Sequence, residues 1–262
     1  MVLAFGCDTA ISEVPGVRVT RPGDQVAIPK RPEPLESWVE PAAEAGDVAA
    51  MKRLGQYLYQ TGSAGNAPAE KWLFAAAEAG DAEAMYSLTR VHHDRAVNAT
   101  PHGQDHHLTA ASWCRRAAQA GWIPAIRSMP VYAADQDERE YWLREAVETG
   151  DPWAPLNLAG VLDERGRTSE AEHWYRRAAD EPGGIGLSAR DSLGDFLLRQ
   201  GRLEEAAECW KQLAEAGEPA GAWHRAYVLE KLGRPEEAAM WRQQGDALQA
   251  AQRAQELDCP ER

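Results

Sequence analysis

Three groups of side chains in this sequence have the composition to do chemistry. The first is a run of histidines, His92, His93, His102, His106 and His107, five of the seven in the chain, with Asp94 and Asp105 interspersed. Neutral imidazoles mixed with carboxylates suit zinc or nickel. His102 and His106 have the i, i+4 spacing of a metalloprotease motif, but Gly103 stands where its glutamate would, so the alternative is a set of solvated side chains in a polar loop. The second group is basic. Arg115, Arg144 and Arg176 each stand two residues after a tryptophan, and stacked in register they would form a ladder able to hold an acidic peptide by charge-assisted hydrogen bonds. Ordinary pairing with Glu145 or Glu172 is the competing reading. The third group is Trp122, Trp153 and Trp223, aromatics that could anchor a bound peptide or bury themselves against the preceding turn.

Enzymatic chemistry has no comparable support. The sequence holds no Gly-rich phosphate loop, no G-x-S-x-G elbow and no His-Glu-x-x-His. The acidic pairs Glu204-Glu205 and Glu236-Glu237 stand in helix first turns, where negative charge complements the helix dipole. The expectation is a protein that is not an enzyme and needs no cofactor.

These residues must be positioned by a repeating element. Ala42-Ala43-Glu44-Ala45-Gly46-Asp47 returns as Ala76-Ala77-Glu78-Ala79-Gly80-Asp81 and then in altered forms. Aligned on Trp38, Trp72, Trp113, Trp142, Trp174, Trp210 and Trp241, the units recur every 29 to 41 residues, the period of two-helix repeats. Four residues after each tryptophan stands alanine, or in the last unit Gly245. Three residues before it stand Ala69, Ala110, Ala171, Ala207 and Ala238, with Leu35 and Arg139 as exceptions. Offsets of -3, 0 and +4 share one helical face, which places small residues where a neighbouring helix approaches and an indole in the remaining volume. Gly46, Gly80, Gly121, Gly150 and Gly217 end these helices, and Asp47, Asp81 and Asp151 start the next ones.

These motifs resemble the Sel1-like repeat family, relatives of the tetratricopeptide repeat, over roughly residues 35 to 245. Toward the C-terminus, Gly201-Arg202-Leu203-Glu204-Glu205-Ala206 and Gly233-Arg234-Pro235-Glu236-Glu237-Ala238 are similar to plain tetratricopeptide units. The resemblance implies an all-α, α/α superhelical solenoid of about six to seven two-helix repeats. It also implies protein-protein interaction, as scaffold or adaptor, on a concave face lined by the first helices. Departures predict irregular stacking: Thr89 where Gly would follow Leu88, Pro130 within the third unit, and Pro182-Gly183-Gly184 at a turn. Ser169 and Glu172 have the spacing of a capping box, and Gln243 to Leu257 reads as a long terminal helix with Leu248, Ala251 and Leu257 inward.

Residues 1–34 carry five prolines, which exclude a helix through most of the segment. Val17 to Thr20 and Gln25 to Ile28 alternate apolar and polar around Arg21-Pro22-Gly23-Asp24, giving a short β-hairpin that serves as a cap for the first repeat or as a docking arm. The division is therefore 1–34 as arm or cap and 35–262 as solenoid. A formal charge of -13 opposes nucleic acid and anionic lipid. Four dispersed cysteines and no long apolar run suggest a cytoplasmic protein with no membrane partner. The function expected is a scaffold binding another protein, with Trp122, Trp153 and Trp223 as anchors and Arg115, Arg144 and Arg176 for acidic groups. The alternative is a metal-responsive regulator working through residues 92–107.

Overall fold

The computed structural model describes residues 35–62, 67–98 and 103–257. The expected hairpin at 17–28 and His102 lie outside the described residues. Thirteen helices follow one another among the described residues: α1 Val39–Glu44, α2 Val48–Thr61, α3 Ala67–Glu78, α4 Ala82–Asn98, α5 Gly103–Gln119, α6 Ile123–Tyr132 and α7 Gln136–Glu148. After these come α8 Ala154–Glu164, α9 Thr168–Ala179, α10 Gly183–Arg199, α11 Leu203–Glu215, α12 Pro219–Lys231 and α13 Pro235–Leu257. Each helix packs on its chain neighbours, and the stack is an α/α solenoid of six helix pairs and a final helix. Helices α2 and α4 also touch directly across α3. At that end the even-numbered helices therefore form the inner, more tightly spaced row.

The turns follow from the sequence. Gly46, Gly80, Gly121, Gly150 and Gly217 adopt φ between 72° and 95°, the left-handed conformation that ends a helix without a Cβ clash. Asp47 then accepts from the Ala50 N–H and Asp81 from the Ala84 N–H, both at 2.8 Å, capping α2 and α4. Asp151 accepts from the Trp153 N–H at 2.8 Å. The capping box expected at Ser169 does not form. Arg167 stands at the N-cap of α9, and Glu172 is taken by Arg176 and Arg202, whose charged donors bond more strongly than a backbone amide.

The core combines the -3 and +4 alanines and large residues of the odd-numbered helices with large residues of the even-numbered ones, among them Leu54, Leu88, Met129, Leu158, Phe196 and Leu229. Trp113, Trp142 and Trp210 are buried. In α3 and α9 the buried large residue is instead Leu73 or Tyr175, one position on, and Trp72 and Trp174 are half-buried. Lys71 and Arg177 lie over those two indoles at 5.0 Å from the ring centres, so there the tryptophan edges the core and carries a cation on its outer face. Trp38, at the N-cap of α1, is 52 % exposed. Burial of every register tryptophan is thus corrected: a helix turned slightly about its axis exchanges the register position with its neighbour.

Close approach between consecutive helices requires glycine at a few points. A Cβ on Gly55 would lie 2.7 Å from Leu73 Cγ, and one on Gly194 would lie 2.5 Å from Trp210 Cε2. Thr89, at the position of the missing glycine, is buried and turns its hydroxyl back to the Met85 carbonyl at 3.3 Å. Pro130 lies inside α6, which ends two residues later. In α13, Leu248 is half-buried while Ala251 is exposed, so the inward face predicted for the terminal helix stops short of Ala251.

Candidate interaction surface

The four described histidines of this group are not in a loop, as their polar setting suggested. His92 and His93 belong to α4, His106 and His107 to α5, and the long spacing in this unit is taken up by two 17-residue helices. The hairpin sorts them into two pairs. His92 stacks on His106, ring centres 5.8 Å apart, and its Nε2 lies 3.3 Å from Glu70 Oε1, while its buried Nδ1 has no partner. Burial holds His92 below the ordinary histidine range; Glu70 opposes this, and Arg95 and His106 reinforce it. His93 Nδ1 is 3.1 Å from the Tyr132 hydroxyl of α6, and the His107 ring lies 5.5 Å from the same tyrosine. Among the described residues no three His, Cys, Asp or Glu side chains gather as a metal site.

The arginines are brought into register, and each meets carboxylates of its own chain. Arg115 holds Glu138 through Nε and Nη2 at 2.9 and 3.0 Å. Arg144 bonds Glu140 at 2.9 Å and approaches Glu170 at 3.4 Å; Arg176 bonds Glu172 at 2.8 Å and Glu205 at 3.0 Å. Arg167 closes the first square onto Glu140 and Glu170, and Arg202 closes the second onto Glu172 and Glu205. Arg165 adds a third cation to Glu140. Two consecutive repeats therefore carry the same box of two glutamates and two arginines. Burial alone would raise the Glu140 carboxyl, but Arg144 and Arg167 offset it and hold it low. Ordinary pairing accounts for this stripe, with Glu140 rather than Glu145 as the partner of Arg144.

The three off-register tryptophans separate. Trp122, at the N-cap of α6, is half-buried against the core with its indole N–H enclosed and unpartnered. Trp223 is half-buried under α13: its Nε1 donates to Asp246 Oδ1 at 3.2 Å, and a Cβ on Gly245 would fall 2.5 Å from that nitrogen. Only Trp153 presents its ring, at 46 % exposure.

Two depressions on the even-numbered row draw on residues that no motif marked. One, of about 260 Å³, is bounded by Tyr59 of α2, Tyr86, Arg90 and His93 of α4, and Ser128 and Tyr132 of α6. Tyr86 and Ser128 hydroxyls bond at 2.9 Å, and Tyr59 donates to Asp94. Burial pushes the Tyr59 and Tyr132 phenols up to about 12, so both are neutral donors at neutral pH. The other, of about 560 Å³, opens between α6 and α8 with α7 as its floor, among Arg127, Val131, Arg139, Leu143 and Asn157. Tyr59, Tyr86 and Tyr132 are too far apart in sequence to register as a set. Arg139 carried a signal as the exception to the alanine rule.

No protein-family model and no curated protein matches the sequence. Solved structures do. A protective antigen present in uropathogenic Escherichia coli strains and displaying an SLR fold is 18 % identical, with a TM-score of 0.52 over 80 % of this chain and 54 % of that one. A Sel1 repeat protein from Oxalobacter formigenes is 19 % identical, with a TM-score of 0.59 over 80 % of this chain and 65 % of that one. The chain thus spans a little over half to just under two thirds of these proteins' length. Among the described residues no helix is long and apolar enough to cross a membrane. In fold, the chain is a Sel1-like repeat solenoid.

Proposed function

We propose that the chain is a protein-interaction scaffold that receives an extended segment of a partner protein along its even-numbered row of helices. One observation carries this reading: two depressions flank α6, which lines one with Ser128 and Tyr132 and the other with Arg127 and Val131, so concavities succeed one another along the row from α2 to α8. Stacked repeats present such a surface because each unit contributes the same helix face at a constant displacement. Its lining suits a polypeptide, with tyrosine hydroxyls and Asn157 for backbone groups and Val131, 71 % exposed, for an apolar side chain. The histidine hairpin contributes His93 to the groove wall. Trp153 stands at the N-cap of α8, beside Ala154 of the far depression. The arginine boxes hold adjacent repeats together and are not part of this face.

A photo-crosslinking residue at position 131, compared with one at the exposed Tyr141 of the following repeat, tests the reading in the native cell. Discrete adducts from 131 that are absent from 141 support it. Identical adducts from both positions, or none from 131, defeat it.

A further inference from the structure

The repeat closes the same gap with a buried alanine in five units. Three residues before the register tryptophan, Ala69, Ala110, Ala171, Ala207 and Ala238 are each at most 5 % exposed, covered by the neighbouring helices. In the fourth unit this position is Arg139, and it is exposed. Its helix face, with Leu143 and Ala146, lies under the 560 Å³ opening. The cause is local. Helix α6 is ten residues long, carries Pro130 near its end and leaves the row at Tyr132, so Arg139 near the start of α7 stands open while Leu143 and Ala146 further along remain buried.

Two cations and two anions line this cleft, and they differ in how they are engaged. Asp135 is committed to the Glu138 N–H and Asp151 to the Trp153 N–H, both at 2.8 Å, as starts of α7 and α8. Arg127 donates to the Thr149 carbonyl at 3.0 Å and stands 3.9 Å from Asp151. The Arg139 guanidinium has no partner among the described residues, in a chain whose other register arginines are all paired. An unpaired fork of N–H donors fits an oxyanion held bidentately, and the Asp135 and Asp151 carboxylates beside it disfavour a doubly charged phosphate, so a singly charged carboxylate is the better match, with an aliphatic neighbour resting on the exposed Val131.

We infer that the cleft between α6 and α8 takes an aspartate or glutamate side chain of the partner segment, held by Arg139 and flanked by an apolar residue packed on Val131. This rests on the reading of the even-numbered row as the partner-binding face and names the chemistry of one position along it.

Fluorescence anisotropy with amide-capped, fluorescein-labelled peptides tests it. One peptide carries a central Glu between leucines, the second Gln in its place, and the third the Gln sequence with a free C-terminal carboxylate. The full chain should prefer the Glu peptide over the capped Gln peptide by about tenfold or more. Arg139→Ala, which installs the residue of five other units and keeps the helix, should abolish the preference with its melting temperature retained. Arg139→Lys, a point charge without the fork, should keep only part of it. Equal affinity of the native chain for Glu and Gln peptides, or a preference that survives in Arg139→Ala, overturns the inference. So does tight binding of the free-terminus peptide alone, which assigns the site to an α-carboxylate, and so does the absence of binding by any peptide. In each case the crosslinks from position 131 decide separately whether the groove reading stands.

Discussion

Replacing Gly194 of α10 by alanine should destabilise the protein, against the direction that helix propensity alone predicts. An added methyl group would lie 2.5 Å from Trp210 Cε2 and 2.7 Å from its Nε1. Carbon atoms rest at about 3.5 to 4.0 Å, so the indole must move by roughly 1 Å. It has little room to do so. Trp210 is 1 % exposed, and its N–H donates to Asp191 Oδ1 at 2.9 Å, a bond to a charged acceptor that displacement weakens. Overpacking of this kind costs about 1–3 kcal/mol, and the strained hydrogen bond adds to it. The removal of glycine from a helix interior returns only about 0.5–1 kcal/mol. The net is a loss of about 2 kcal/mol. Gly160 of α8 is the control, because a methyl group there meets nothing within 4 Å. Gly160→Ala should therefore gain about 0.5–1 kcal/mol. Urea unfolding followed by far-UV circular dichroism reads both. Midpoints that move in the same direction for the two variants would refute the argument that helix approach, rather than propensity, places glycine at 194.

Trp142→Ala should cost about 3–5 kcal/mol, since the buried indole leaves a cavity, whereas Trp174→Ala, at a half-buried ring beside the true core residue Tyr175, should cost less than half as much in the same unfolding assay. Glu140→Gln should cost about 1–2 kcal/mol, because its nearly enclosed carboxylate gathers Arg144, Arg165 and Arg167; the loss is discounted for arginines one third exposed and should shrink in high salt. As the folded Glu140 carboxyl is held low, its contribution is whole above the ordinary 4.5 and fades as pH falls through the folded value, so an E140Q loss that persists undiminished in strong acid would exclude this origin. His92, held below 6.5 by burial and facing Glu70, Arg95 and His106, favours the unfolded chain when protonated: stability should fall as pH drops below 6.5, and His92→Asn should flatten that acid limb of the urea midpoint against pH. His224 has the opposite sign, being raised by its bond to Asp191; its stabilisation is present below 6.5 and is lost as pH rises through the raised value.

The architecture was legible because its rules are local. A glycine that ends a helix and an aspartate that restarts one act within a few residues, and the -3 and +4 alanines report directly on helix approach. Legibility failed where a tertiary choice overrides a local pattern. Whether Trp174 or Tyr175 faces inward depends on a small rotation of α9 that no residue spacing encodes. The histidine segment was polar enough for a loop, yet it forms the facing ends of α4 and α5, because His92 and His106 cover each other while His93 and His107 reach Tyr132. Ser169 and Glu172 had the spacing of a capping box, and a competing guanidinium from the next unit removed the glutamate. The anchor role expected of Trp223 met a similar fate, since Gly245, noticed only as a missing alanine, is what lets α13 lie over that indole.

In a repeat protein a departure from the consensus has two physical outcomes, and this chain shows both. At Gly245 and Thr89 the neighbouring helix adjusts, and the surface remains closed: one position admits an indole, the other is 2 % exposed and satisfies its hydroxyl on its own helix. At Arg139 the neighbour cannot adjust, because α6 has already ended, and the side chain is too long and too polar to be covered. A closed departure is compensated within the fold, so its replacement by the consensus residue changes stability and little else. An open one leaves a charged group facing solvent with no structural return. Arg139→Ala should accordingly leave the fold at least as stable as before, and any phenotype it produces belongs to what the cleft binds.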